Sequence, residues 1–290
     1  MNVSDAYRQA LEKLNNAGIK DAAFDLQLIM EDVFEIDRYT RLSFPDKELD
    51  DNKIPVFESY VNRRCERIPL QHILGYQDFM GLRFNVNEHT LIPRFDTEVL
   101  VEETLKYVHD GMSVLDMCTG SGCIITSILY YSNGCRGVGV DISKEALEVA
   151  RCNSSRILEK RDDISVDYVN SDLFSNLPDK YQEYKFDIIV SNPPYICTDV
   201  INTLEKEVRD YDPYIALDGG SDGLDFYRRI VNECNDYLLK GGVLLFEIGY
   251  DEGEDVKNLM ENNGFIDVQV INDLQGLQRV VVGTKSCLIN

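Results

Sequence analysis

From residue 112 onward the chain alternates strand-like and helix-like runs, and this alternation constrains the fold more than any other feature. Short apolar runs at 113–117, 137–141, 166–169, 186–191 and 243–248 are separated by helical stretches. A helix is predicted at 123–130, another capped by Ser143, and a long one over 224–240. Parallel strands buried on both faces read as continuous apolar runs, and crossover helices must cover them. Two last strands, 268–271 and 279–282, are joined by a short loop and fit an antiparallel hairpin at one edge. The fold class expected is therefore α/β, with seven strands in one mostly parallel sheet. The chain has 290 residues, 44% hydrophobic, enough for one large domain and one small one.

The first 70 residues carry helical stripes instead. Ser4 is a plausible cap for a helix with Ala6, Ala10, Leu11, Leu14 and Ala17 on one face, stopped at Gly18. Asp21 opens a second helix, with Phe24, Leu28, Ile29 and Val33 inward. A third holds Ile54, Phe57, Tyr60, Val61 and Cys65, closed by Pro69. Phe79, Leu82, Phe84 and Val86 around Gly81 suggest a hairpin. The organisation expected is a helical domain at 1–75, a hairpin linker at 76–92 and an α/β domain at 93–290. Asp96 or Thr97 is a candidate cap for a helix through Val101, Leu105 and Val108, and Arg94 could meet a carboxylate or a ligand.

Two loops at the carboxyl ends of strands carry the chemistry, where open α/β sheets bind ligands. The first is Asp116-Met117-Cys118-Thr119-Gly120-Ser121-Gly122. Its glycines let a ligand approach the backbone, and Asp141, ending the next strand, could accept from both hydroxyls of a ribose. A dinucleotide fingerprint would need a third glycine at 125, where Ile125 stands. The pattern better suits a nucleoside without pyrophosphate, namely S-adenosylmethionine. Asp172 could bond the adenine amine, with Leu173 against the ring; the alternative for Asp172 is a turn or helix cap.

The second loop is Asn192-Pro193-Pro194-Tyr195. Two prolines stiffen the backbone and remove two N–H donors. The Asn192 side-chain carbonyl and the Pro193 backbone carbonyl remain as acceptors, beside the flat face of Tyr195. That set suits an NH2 group on a planar carbon, such as a carboxamide or a nucleobase amine. Glu247, at the end of the fifth strand, reads as structural rather than as a pocket residue.

Charge and cysteine usage narrow the classes. The net charge of −22 repels phosphate backbones, so no direct nucleic-acid binding is expected, and it suits a basic partner protein. Eight cysteines without a C-x-x-C pair give neither a metal site nor a disulfide framework and fit a reducing cytosol. No apolar run reaches membrane-spanning length and no secretory leader is read, so a cytoplasmic protein is expected, with a monomer as the default.

Taken in order, Pro69-Leu70-Gln71-His72-Ile73-Leu74-Gly75, then Leu91-Ile92-Pro93-Arg94 with Asp96-Thr97-Glu98, then the glycine loop, then Asn192-Pro193-Pro194-Tyr195, form a set that resembles one family. It is that of the bacterial protein-(glutamine-N5) methyltransferases that modify peptide chain release factors. The resemblance runs from the helical module to Arg279-Val280-Val281-Val282-Gly283. It implies a Rossmann-like class I S-adenosylmethionine-dependent methyltransferase. The implied substrate is the glutamine of the Gly-Gly-Gln tripeptide in class-1 release factors. Asn192, Pro193 and Tyr195 would be catalytic and Pro194 would line the substrate site. Asp116, Cys118, Thr119, Gly120, Ser121, Gly122, Asp141, Asp172, Leu173 and Asn192 would hold the methyl donor. Two positions depart from the family: Cys118 stands where glycine is usual and Phe95 where proline is usual. A cysteine there narrows the loop or closes its backbone, which bears on affinity and not on reaction class. The competing readings are a ribosomal-protein glutamine methyltransferase, a DNA adenine-N6 or RNA guanine-N2 methyltransferase, and a non-catalytic protein that kept the fold.

Overall fold

A computed structural model describes residues 1–287. The chain divides into two compact units: Met1–Tyr76 with Glu205–Tyr211, and Gln77–Leu204 with the residues from Asp212 onward.

The first unit is helical, with Val3–Asn16, Ala22–Phe34 and Ile54–Cys65 as its main helices. Short helices at Arg38–Ser43 and Leu70–Leu74 were not anticipated. Leu14, Leu26, Ile29 and Met30 are fully buried where the three long helices meet. The first helix is capped by Asn2, whose side chain accepts from the Asp5 N–H, and not by Ser4. Starting two residues earlier puts Val3 in the core. In the second helix Phe24 is 64% exposed, contrary to expectation. Leu26, Ile29, Met30 and Val33 set the inward face, and a residue two positions before Leu26 points away from it. Segment 205–211 is held in this unit by ion pairs of Glu207 with Arg64 and Arg67 and of Glu205 with Lys20. The Tyr211 hydroxyl also donates to the Glu66 carbonyl, 3.2 Å away.

The second unit contains a hairpin and a seven-stranded sheet. The hairpin strands are β1 (Tyr76–Phe79) and β2 (Leu82–Asn85). Met80 and Gly81, both at positive φ, turn the chain between them. This hairpin is part of the core: Phe79 and Phe84 are buried in one cluster with Leu100, Ile128 and Leu129. The sheet strands are β3 (Ser113–Met117), β4 (Arg136–Asp141), β5 (Ser165–Asn170), β6 (Phe186–Ser191), β7 (Leu238–Glu247), β8 (Phe265–Asn272) and β9 (Gln278–Lys285). Their order is β5-β4-β3-β6-β7-β9-β8. Neighbours from β5 to β7 run parallel; β9 is antiparallel to both β7 and β8. The expected α/β class, seven strands and antiparallel edge pair are all present.

One boundary moved. The helix expected over 224–240 is Asp225–Glu233, followed by a short 3-10 turn, Cys234–Asp236. Leu238 belongs to β7, where it pairs with Phe186 and is fully buried. Sheet pairing overrides the local helical pattern there. The sheet order reverses between β3 and β4 on one side and β6 on the other, so the loops after β3 and β6 open side by side at the carboxyl edge.

Candidate active site

The glycine loop after β3 is shaped by its own hydrogen bonds. Asp116 is fully buried, and its Oδ2 accepts from the Thr119 hydroxyl at 2.6 Å. Burial pushes its carboxyl up to about 7, with the Thr119 hydrogen bond opposing. Thr119 N–H donates to the Val140 carbonyl on the neighbouring strand at 2.9 Å. Cys118, Gly120 and Gly122 all take left-handed backbone angles, with φ of 61°, 54° and 74°. For a cysteine that conformation costs about 1–2 kcal/mol relative to the right-handed region. The family's glycine would adopt it freely. The departure at Cys118 therefore adds backbone strain to the loop. A side chain on Gly122 would meet Ala150 Cβ at 3.0 Å, whereas nothing stands within 4 Å of where a Gly120 Cβ would be. Gly122 is needed for close packing against the helix Lys144–Ile157; Gly120 leaves open room for a ligand.

Asp141, at the end of β4, ties this loop to the next. One carboxylate oxygen accepts from Gly120 N–H and the other from Ser143 N–H, each at 2.9 Å. Ser143 caps the helix Lys144–Ile157 as expected. Burial raises the Asp141 carboxyl above its ordinary pKa, and these backbone bonds oppose the shift. A carboxylate has about four lone-pair sites, so two remain for hydroxyl donors.

A cavity of about 220 Å³ opens at this edge. Cys118, Gly120, Asp141, Asp172, Leu173 and Asn192 line it, with Pro194 beside them. The other expected residues are set behind the lining. Asp116, Thr119, Ser121, Gly122 and Pro193 are buried, and Tyr195 is half-buried. Asp172 caps nothing with its side chain; its Oδ1 accepts from Arg229, 2.8 Å away, on the helix Asp225–Glu233.

The loop after β6 is held from three sides. Ile196 N–H donates to the Leu217 carbonyl, and Gly219 N–H donates to the Ile196 carbonyl. Gly219 is so close that a Cβ on it would stand 2.6 Å from Tyr195 Cα. The Asn192 side-chain nitrogen donates to Thr97 Oγ1 at 3.3 Å. The Tyr195 hydroxyl lies 3.4 Å from Glu247 Oε1, as its donor. Glu247 is 1% exposed and is no part of the cavity lining, which agrees with its structural reading. Burial pushes its carboxyl up to about 7, opposed mainly by Thr97 and by Arg279. Tyr195 is raised as well, by burial first and then by the charge of Glu247.

Residues matching family models complete the identification. Residues 5–75 match the PrmC N-terminal domain, and residues 108–273 match a methyltransferase domain. The release factor glutamine methyltransferase of Clostridium acetobutylicum is 38% identical, over 99% of this chain and 100% of its own. That of Geobacter sulfurreducens is 40% identical over 93% of this chain and 92% of its own. The chain belongs to the release factor glutamine methyltransferase family. It is a methyltransferase with the class I fold. A methyltransferase from Pyrococcus furiosus resembles it in fold, with a TM-score of 0.51 at 18% identity, over 71% of this chain and 90% of that one.

In this family member Arg94 meets a carboxylate, as expected, whereas Asp96 and Thr97 are not the caps expected. Arg94 pairs with the buried Asp212, Asp96 pairs with Arg279 at 3.2 Å, and Thr97 meets Asn192. Neither Asp96 nor Thr97 caps with its side chain the helix Glu98–Leu105, which ends before Val108. Glu98 instead accepts from the Met80 N–H at 2.6 Å. Sequence reasoning missed Arg229 and the wall at Pro213, Ile215 and Ala216. No local pattern marks them, because each reaches the cavity only through tertiary packing.

Proposed function

We propose that this methyltransferase modifies the side-chain amide nitrogen (N5) of the glutamine in the Gly-Gly-Gln tripeptide of class-1 peptide chain release factors, using S-adenosylmethionine. The observation that supports this most is the polarity of Asn192. One hydrogen of its NH2 donates to Thr97, which leaves Oδ1 on the other side of the carboxamide to accept from an incoming NH2 group. The relatives named for release factor glutamine methylation match nearly end to end.

The residues present fit the methyl donor. Gly120 offers space at the cavity wall, Asp141 has lone pairs left for ribose hydroxyls, and Leu173 is an apolar side chain for the adenine ring. When bound, S-adenosylmethionine supplies a methyl group already activated by its sulfonium charge. The chain's residues do the rest. An amide nitrogen is a poor nucleophile because its lone pair is delocalised into the carbonyl. Asn192 Oδ1 and the Pro193 carbonyl would accept its two N–H bonds and aim the nitrogen. They would also favour positive charge as it develops there. Held geometry of this kind is worth up to ~7–11 kcal/mol. One amide proton then leaves to water, so no strong base is required. Tyr195, with its hydroxyl turned to Glu247, would offer its ring as the wall of the glutamine site.

The test is transfer of labelled methyl, in parallel, to purified release factors, ribosomal proteins, ribosomal RNA and duplex DNA. Each release factor is paired with a version whose Gly-Gly-Gln glutamine is replaced. Label on the release factor that vanishes with the glutamine is the expected result. Label on RNA, DNA or a ribosomal protein alone would overturn the substrate assignment.

A further inference from the structure

The segment that carries the acceptors is anchored at both ends. At its start, Ser191 ends β6 and pairs with Met117 of β3, and its hydroxyl donates to the Met117 carbonyl at 2.7 Å. Pro193 and Pro194 leave little torsional freedom beyond it. At its far end, Ile196 forms an isolated parallel bridge with Asp218, outside the seven-stranded sheet. The strap that supplies this bridge, residues 217–223, lies directly on Tyr195. Besides Gly219, Gly223 comes so near that a Cβ on it would stand 2.5 Å from the Tyr195 carbonyl oxygen. A shift of the strap is therefore a shift of the tyrosine and of the proline pair before it. Thr198 N–H donates to the Gly220 carbonyl at 2.9 Å. Asp225 N–H, at the start of the helix Asp225–Glu233, donates to the Gly219 carbonyl at 3.2 Å. So short a ladder is marginal on its own in water. One side chain closes it: Asp218 Oδ1 accepts from the Thr198 hydroxyl at 2.6 Å and from the Gly220 N–H at 3.1 Å. A single carboxylate oxygen ties the chain after the acceptor loop to the turn of the strap.

We propose that Asp218 is a positioning residue, which through Thr198 holds the Asn192–Tyr195 loop in the geometry that presents its acceptors to the reacting amide. This rests on the reading of that loop as the site of a substrate NH2. Asp218 is not among the residues lining the cavity, so its effect travels through the backbone. The cavity wall at Pro213, Ile215 and Ala216 belongs to the 3-10 turn Tyr214–Ala216 just before the strap. That turn has bonds of its own, from Ala216 N–H to the Pro213 carbonyl at 2.8 Å and from Leu217 N–H to the Tyr214 carbonyl at 3.0 Å. Losing the Asp218 carboxylate should loosen the acceptor loop and spare the methyl-donor cavity. A loosened loop still admits substrate but misdirects the nitrogen, so the loss falls on kcat more than on KM.

The experiment compares wild type with Asp218→Ala, Asp218→Asn, Thr198→Val, Thr198→Ser and the double variant Asp218→Ala with Thr198→Val. Asparagine keeps an oxygen that can accept both bonds, and serine keeps the hydroxyl. Asp218→Ala and Thr198→Val are each expected to lower kcat on the release factor about 10- to 100-fold, the range for a hydrogen bond to a charged group. KM for the release factor and Kd for S-adenosylhomocysteine should stay within about threefold. Asp218→Asn and Thr198→Ser should recover most of kcat. The double variant should be no worse than the worse single one, because both remove the same contact. Thr198→Val leaves the Asp218 bond to Gly220 in place, so it tests the clasp even if Asp218→Ala fails to fold. A substrate-free readout keeps the clasp separate from the substrate assignment. The amide hydrogens of Ile196, Thr198 and Gly219 should exchange about 10-fold faster or more in Asp218→Ala and near the wild-type rate in Asp218→Asn, with those of β6 unchanged. Wild-type kcat in Thr198→Val, conservative variants as impaired as the deletions, additive losses in the double variant, or exchange that quickens equally along β6 would each overturn the proposal. If wild type leaves release factors unlabelled while the exchange pattern holds, the substrate reading has failed and the clasp stands.

Discussion

Arg64→Ala tests how the helical unit is held together. Arg64 Nε donates to Asp25 Oδ2 at 2.7 Å, and both side chains are only 10% exposed. The guanidinium also donates to the Ile68 carbonyl at 3.2 Å and to Glu207 at 3.3 Å. Glu207 keeps Arg67 when Arg64 is removed; Asp25 loses its cation. Burial already holds the Asp25 carboxyl above its usual pKa, with Arg64 the main opposing influence. Without Arg64 the least costly course is to protonate Asp25. From an unfolded pKa near 3.9, that costs about 4 kcal/mol at pH 7 and about 1.5 kcal/mol at pH 5. The sign follows from the raised native pKa: the protonated form is favoured on folding, so stability drops as pH rises above the unfolded value. Losing the desolvation of Arg64 itself offsets part of the cost. Denaturant unfolding, with hydrogen exchange over residues 3–74, should therefore show a loss of ~2–4 kcal/mol at pH 7 that shrinks below ~1.5 kcal/mol at pH 5. An apolar pair, Arg64→Met with Asp25→Leu, should restore most of it. A loss under ~1 kcal/mol at pH 7, or one that does not shrink in acid, would refute the reasoning.

Three further outcomes are expected. Asn192→Ala should abolish methyl transfer while leaving the cofactor Kd, measured by calorimetry, within about twofold, because it removes an acceptor for the substrate NH2. Asp141→Ala should weaken cofactor binding by about 10-fold or more and speed amide exchange at Gly120 and Ser143, since it removes both their acceptor and the proposed ribose contact. Glu252, raised to about 7 by burial, accepts from the Gly249 N–H at 2.8 Å and from the Tyr227 hydroxyl at 3.2 Å. The native pKa being raised, stability should fall as pH climbs from about 4 to about 7, and Glu252→Gln should flatten part of that slope in thermal melts.

Much of the sheet could be read directly because strands buried on both faces leave unbroken apolar runs, as in Phe186–Ser191. The turn after that strand was legible too, since two prolines and an asparagine restrict what a backbone can do. Contacts made across long separations were not. Thr97 reads locally as a helix cap, yet the group it meets lies 95 residues away. Arg229 carries no local signal, yet it holds Asp172, 57 residues before it. At the chain start, Asn2 and Ser4 are both cap-type residues, and only the burial of Val3 decides between them. Leu238 continues a helical pattern in sequence and becomes strand because Phe186 is its neighbour.

The seven residues Glu205–Tyr211 lie between Tyr195 and the cavity-lining Pro213 in the chain, but they belong to the helical unit. That unit is consequently not a detachable prefix. Cutting the gene after Tyr76 would strand Glu205 and Glu207 without Lys20, Arg64 and Arg67, and it would strip the helical piece of the same contacts. The two ends of this ion-pair set work as one unit, although more than 130 positions separate Arg67 from Glu207. Chimeras between relatives should then behave as grafts with two junctions, and exchanging the 205–211 segment along with the module is what should make them fold.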